Sequence, residues 1–106
     1  MTVHAEISII PIAKGHEPGM SKEVAAAFDA IRKVPGIRAT LTALGTQIEA
    51  NSFDGVLKAI KAAHDAARSA GADRVISTIR IDERHDKSQT LQDKIQSVEQ
   101  KLKGSK

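Results

Sequence analysis

Three carboxylates, Glu6, Glu49 and Asp82, fall on stretches whose residues alternate like strands, and a charged group on a strand of a small sheet demands a counter-charge or water. Arg80, Arg84 or Lys87 can meet that demand by ion pairing; alternatively the carboxylates line a pocket for a cation. Just ahead of Glu49 stands Gly45-Thr46. No lysine and no helix start follow it, so it is too short for a phosphate loop and has the form of a tight turn joining two hairpin strands.

Other chemistries lack their residues. Cysteine is absent, which removes disulfides, thiolate zinc sites and cysteine nucleophiles. His4, His16, His64 and His85 show neither HxxxH nor HxH spacing, and each has a polar or charged neighbour that fits an exposed position, so no metal site is expected. Ser8, Ser21 and Ser77 sit where a serine caps a helix or pairs in a sheet as readily as it attacks a carbonyl, which leaves acyl transfer without support. The expectation is a protein that is not an enzyme and carries no cofactor.

The elements that must position these residues follow from periodicity. Val3 to Pro11 alternates Val3, Ala5, Ile7 and Ile9 with His4, Glu6, Ser8 and Ile10, the period of a strand with one uniformly apolar face. Ile12 to Met20 has a loop composition, with Lys14, His16 and Pro18, and is long enough to cover a site. Ser21 is a candidate N-cap for a helix with Val24, Phe28 and Ile31 on one face, stopped by Pro35-Gly36. Ile37 to Ala43 and Thr46 to Ala50 read as a hairpin. Asn51-Ser52 offers caps to a second helix whose apolar stripe is Val56, Leu57, Ile60, Ala63, Ala67 and Ala70, closed by Gly71.

Arg74 to Ile81 is the last strand, and its charged ending, Asp82 to Lys87, hangs beside whatever the sheet carries. After it, Thr90 and Asp93 form a capping box with Asp in place of Glu, and Leu91, Ile95, Val98 and Leu102 recur at steps of four, three and four. The order is therefore α+β: a ferredoxin-like βαββαβ chain with an extra C-terminal helix. It makes one domain over residues 1–106, within which the helix at 91–103, apolar along a stripe one residue wide, is an oligomerisation element. In this topology the second strand lies at a sheet edge that no proline defends, so a homo-oligomer is expected.

Composition narrows the partners. The net charge of +3 sits wholly in the tail, since residues 1–83 hold ten Lys/Arg against ten Asp/Glu and residues 84–106 hold six against three. That surplus fits a solvated helix face. The central strands carry no aromatic on which a base could stack, so no nucleic acid is expected. No apolar run approaches the roughly 20 residues that span a bilayer, and Met1 to Ala13 carries Glu6 and lacks a basic start, unlike a signal peptide. No membrane partner is expected, and the expected location is cytoplasmic.

Leu44 to Ala50 with its GT-x-IE hairpin, Phe53 to Val56, and the TIRIDERHDK ending at Thr78 to Lys87 together resemble the small thiamine-binding protein family. Ala5 to Ile12, Ser21 with Val24-Ala25, and Asp93 to Leu102 extend the likeness over nearly the whole chain. The resemblance implies a ferredoxin-like subunit whose antiparallel sheets pair across a dimer, giving a homodimer or homotetramer. It also implies non-enzymatic binding of thiamine or its hydroxymethylpyrimidine part. Carried over by position, the ligand-binding residues are Ser21, Gly45, Thr46, Glu49, Asp82 and Arg84. A cationic thiazolium and a planar aminopyrimidine call for a carboxylate, a hydrogen-bonding rim and an apolar slot. A reading of another class is a regulatory or assembly subunit that acts through protein partners, by its edge strand and last helix.

Overall fold

Alternation along the first strand sends Val3, Ala5 and Ile7 into a core shared with Ile48 and Ala50 of a neighbouring strand. The structure, a computed structural model of the chain, describes residues 2–12 and 21–104. The loop expected at Ile12 to Met20, with Lys14 and His16, falls almost wholly outside them. The element order is β1 (Thr2–Ile12), α1 (Ser21–Arg32), β2 (Ile37–Thr42), β3 (Gly45–Ala50), α2 (Phe53–Ser69), β4 (Arg74–Arg84) and α3 (Leu91–Gly104). The strands form one antiparallel sheet in the order β2-β3-β1-β4, with α1 and α2 packed side by side on one face. This is the α+β, ferredoxin-like arrangement with an appended helix that the periodicities require.

Small side chains bring the layers together. Ala59, Ala63 and Ala67 are fully buried along one stripe of α2, and Val3, Ile7, Ile31, Ile48 and Val56 fill the space between the helices and the sheet. Each of these larger side chains contributes about 1.5–3 kcal/mol by leaving water. The expected stripe needs one correction: Leu57 is exposed, and Ala59 takes the core position, because 56, 59, 63 and 67 share a helical face and 57 lies about 100° off it.

The N-terminal caps of α2 and α3 are those the sequence announces, whereas Ser21, a candidate cap, is itself the first residue of α1. Ser52 accepts from the Gly55 N–H at the start of α2, and Thr90 and Asp93 cap α3 reciprocally, each backbone N–H donating to the other's side chain at 2.9 Å. The chain leaves α1 through Gly36, whose φ of 79° is the left-handed turn that glycine adopts without strain. In the hairpin the turn is Ala43-Leu44, not Gly45-Thr46. Gly45 already pairs with Thr42, whose Oγ1 donates to the Gly45 carbonyl at 2.6 Å.

Both β2 and β4 are sheet edges, and β4 is the longer at 11 residues against 6. α3 buries none of its residues. Ile95, Val98 and Leu102 are 49%, 59% and 68% exposed.

Candidate functional site

Gly45 opens β3 where the strand runs closest to β1. A Cβ there would stand 2.8 Å from the Ile7 carbonyl oxygen, so only glycine lets the two backbones pair. The next residue, Thr46, is buried and lies across from Ile7 and Leu41. Both residues line a cavity of about 300 Å³ between the hairpin and α1. Val24, Ala27 and Ile31, on one face of α1, supply the opposite wall; Leu41 and Thr42 close the hairpin side. The described lining is mostly apolar, with the hydroxyl residues Ser8, Thr42 and Thr46 and no acidic or basic side chain.

Strand parity puts Glu49 on the other face of the sheet, away from α1 and α2. There it stands in a row across the strands, Arg38, Glu49, His4 and Asp82. The backbone N–H of Leu91, in the first turn of α3, donates to the Glu49 carboxylate. Negative charge at a helix start is stabilising. Arg38 Nη1 lies 3.8 Å from the second Glu49 oxygen, and His4 Nε2 lies 3.5 Å from the first.

His4 is 5% exposed, which corrects the exposed position expected of it, and its Nε2 has no hydrogen bond. The cause is α3, whose start covers this corner of the sheet. No signal in the alternation around His4 announces that cover.

Asp82 is tied to Lys94 of α3, and the Lys94 ammonium holds its carboxyl below the ordinary range. Arg84 forms a two-pronged pair with Asp86 at 2.5 and 3.0 Å and reaches Gln89 at 3.3 Å. The hydrogen bond to Asp86 raises the Arg84 pKa, and the same bond from Arg84 lowers that of Asp86. Glu6 pairs with Arg80 at 3.1 Å. A second cavity of about 430 Å³ lies under the start of α3, between His4, Glu6, Gln47, Arg80, Asp82 and Lys94, and its charges are matched in these pairs.

The six residues singled out by sequence therefore separate. Gly45 and Thr46 share the cavity beside α1. Glu49 and Asp82 flank His4 on the opposite face and hold α3, with Arg84 further along the same row of β4. Ser21 is exposed at the first turn of α1, one turn before Val24. Sequence reading missed Ala27, Leu41 and Thr42 as site residues, because a lining alanine or threonine looks the same as a packed one.

One further pair carries chemistry. His64 Nδ1 and Ser77 Oγ are 2.7 Å apart, joining α2 to β4. Neither residue lines any of the cavities described above. The pair is a tie between helix and sheet edge.

Over residues 5–99 the chain matches the family described as "Thiamine-binding protein". It is 39% identical to a UPF0045 protein of Methanothermobacter thermautotrophicus, over 94% of this chain and 99% of that one. Among solved structures, a hypothetical protein of Methanocaldococcus jannaschii superposes with a TM-score of 0.81 at 38% identity, covering 92% of this chain and 96% of that one. A domain of unknown function from Bacillus cereus gives a TM-score of 0.77 at 28% identity, over 90% and 88% of the two chains.

Proposed function

Because the chain belongs to the thiamine-binding protein family, we propose that it binds a small ligand of the thiamine type without transforming it, and that the ligand's pyrimidine ring enters the cavity between α1 and the β2–β3 hairpin. The observation that carries this reading is the placement of Gly45 and Thr46. These two residues of the GT-x-IE hairpin form the wall of a mostly apolar cavity, and Thr46 is itself buried there.

The cavity's volume lies at the lower end of the roughly 300–1,000 Å³ of small-molecule sites, which favours a single ring over a larger ligand. An apolar slot with a few hydroxyl residues suits a flat heteroaromatic ring that needs hydrogen bonds in its own plane. It suits a fixed cation poorly, because burying an unpaired charge is costly and the described lining offers no carboxylate. Hydroxymethylpyrimidine is therefore the preferred ligand, and intact thiamine binds with its charged ring outside the slot.

Calorimetric titration of the purified chain with hydroxymethylpyrimidine and with thiamine tests the reading. The expected outcome is one pyrimidine per chain, with thiamine no tighter. Absence of heat with either compound at millimolar concentration would overturn the binding function. Thiamine binding far more tightly than the pyrimidine would overturn the preference for the neutral ring.

A further inference from the structure

Val3, His4 and Ala5 are buried in succession along β1, so at this point both faces of the sheet are covered. Val3 and Ala5 face the core, and His4 lies on the α3 side, an ionisable ring shut away from water. Its Nε2 has no hydrogen bond among the described residues, and Glu49 Oε1 stands 3.5 Å from it. That same oxygen accepts the Leu91 N–H at the start of α3. A carboxylate oxygen has two lone pairs and can accept from both groups. A neutral ring leaves the gap unbridged. An imidazolium closes it, because a charge-assisted N–H···O bond draws in to about 2.7–2.9 Å.

The charges around His4 decide which form the corner favours. Its cross-strand neighbours are both carboxylates, Glu49 on β3 and Asp82 on β4. Glu6, two residues on along β1, is paired with Arg80 of β4, and Arg84 of β4 with Asp86. β2 supplies Arg38 beside the far oxygen of Glu49; α3 supplies Lys94, tied to Asp82, and Asp93, tied to Thr90. The cations therefore stand one step further out than the carboxylates, and Arg38 and Arg80 are largely exposed, where water and salt screen them. Burial opposes a charge on the ring, and two flanking carboxylates, of which Glu49 is largely buried, offset it.

We propose that His4 is a proton-operated latch for α3: its imidazolium donates to the Glu49 oxygen that receives the Leu91 N–H, and loss of the proton loosens the start of the helix. A tie made by the protonated ring is fully present below the ordinary imidazole value of about 6.5 and is lost as pH rises through the value the ring has with α3 in place. Leu91 and Lys94 roof the second cavity, so the latch sets whether that cavity is covered. The inference does not depend on which ligand the cavity beside α1 takes.

The experiment follows the full chain by nuclear magnetic resonance from about pH 5.5 to about pH 8 at fixed salt, the range in which imidazole titrates. As pH rises, the Cα resonances of Lys94 to Val98 should move toward random-coil positions, with the open fraction of the helix start growing about fivefold, the worth of one hydrogen bond. The midpoint should be that of the His4 ring protons, a comparison made in the parent chain and independent of any variant. His4→Gln should flatten the response; His16→Gln, His64→Gln and His85→Gln should leave it in place. Resonances of α3 that stay constant over this range overturn the proposal, as does a midpoint different from that of the His4 ring. A response that survives in His4→Gln overturns it too. So does a helix that tightens as pH rises, because burial of the charge would then outweigh the two carboxylates.

Discussion

Thr46 and Glu49 stand three residues apart on β3 and so lie on opposite faces of the sheet, Thr46 toward the cavity beside α1 and Glu49 toward the start of α3. The hairpin motif thus serves two tasks. Its first half shapes a ligand-sized space, and its glutamate holds a helix. A ligand confined to the cavity does not touch Glu49.

Ligand binding should follow the cavity side of that division. Thr46→Val keeps the shape and removes the hydroxyl, so pyrimidine affinity should fall about fivefold, the worth of a neutral hydrogen bond near 1 kcal/mol. Ala27→Leu pushes a larger side chain into the space from α1 and should abolish binding while the chain still melts cooperatively. Titration calorimetry with hydroxymethylpyrimidine reads both. Unchanged affinity in the Ala27 variant would place the ligand elsewhere.

Glu49→Gln should act on α3 instead. The neutral amide gives up the charge that the Leu91 N–H and the helix start favour, a loss of about 1 kcal/mol or roughly fivefold in local opening. Hydrogen exchange of the Lys94 to Val98 amides should quicken while pyrimidine affinity stays as in the parent. A variant that loses the ligand and keeps α3 protected would reverse the assignment.

Much of the fold was legible because burial imposes periodicity. The alternation of Val3, Ala5, Ile7 and Ile9, the Ser52 cap and the Thr90–Asp93 box each reports a local rule that the structure obeys. The grouping of site residues was less legible, for a reason equally physical. Resemblance places residues along the chain, whereas strand parity decides which face they occupy, and Gly45, Thr46 and Glu49 straddle both. Parity was available in the sequence, since residues three apart on a strand must diverge. The burial of His4 was not, because it depends on where α3 lands after the Glu83 to Gln89 connection.

Gly45→Ala should destabilise the chain by about 1–3 kcal/mol, since the added methyl meets the Ile7 carbonyl oxygen at 2.8 Å, and that oxygen belongs to a paired strand rather than to a flexible side chain. Gly104→Ala is the control: a Cβ there has nothing within 4 Å, and stability should hardly change. Urea unfolding separates them by midpoint. Equal midpoints would mean that β3 can move away from β1 at little cost.

Acid should release α3 before it unfolds the rest. Asp82 is held below the ordinary carboxylate range by the Lys94 hydrogen bond and charge, and Asp93 by the Thr90 N–H and hydroxyl. A carboxyl whose pKa is depressed in the folded chain binds its proton more readily once unfolded. Each therefore contributes stability that is fully present above the unfolded value near 3.9 and is lost as pH falls through the folded value. Both groups act on the first turn of α3, which apart from the Glu49 tie has no buried residue to hold it, whereas α1 and α2 remain packed by Ile31, Val56 and the buried alanines. Amide resonances of Lys94 to Val98 should shift toward random-coil positions below about pH 4, while those of Ile7 and Ile48 keep their folded positions. Asp82→Asn should loosen α3 at neutral pH and flatten its acid response. A single transition shared by α3 and the core amides would show that the helix is held by more than these carboxylates.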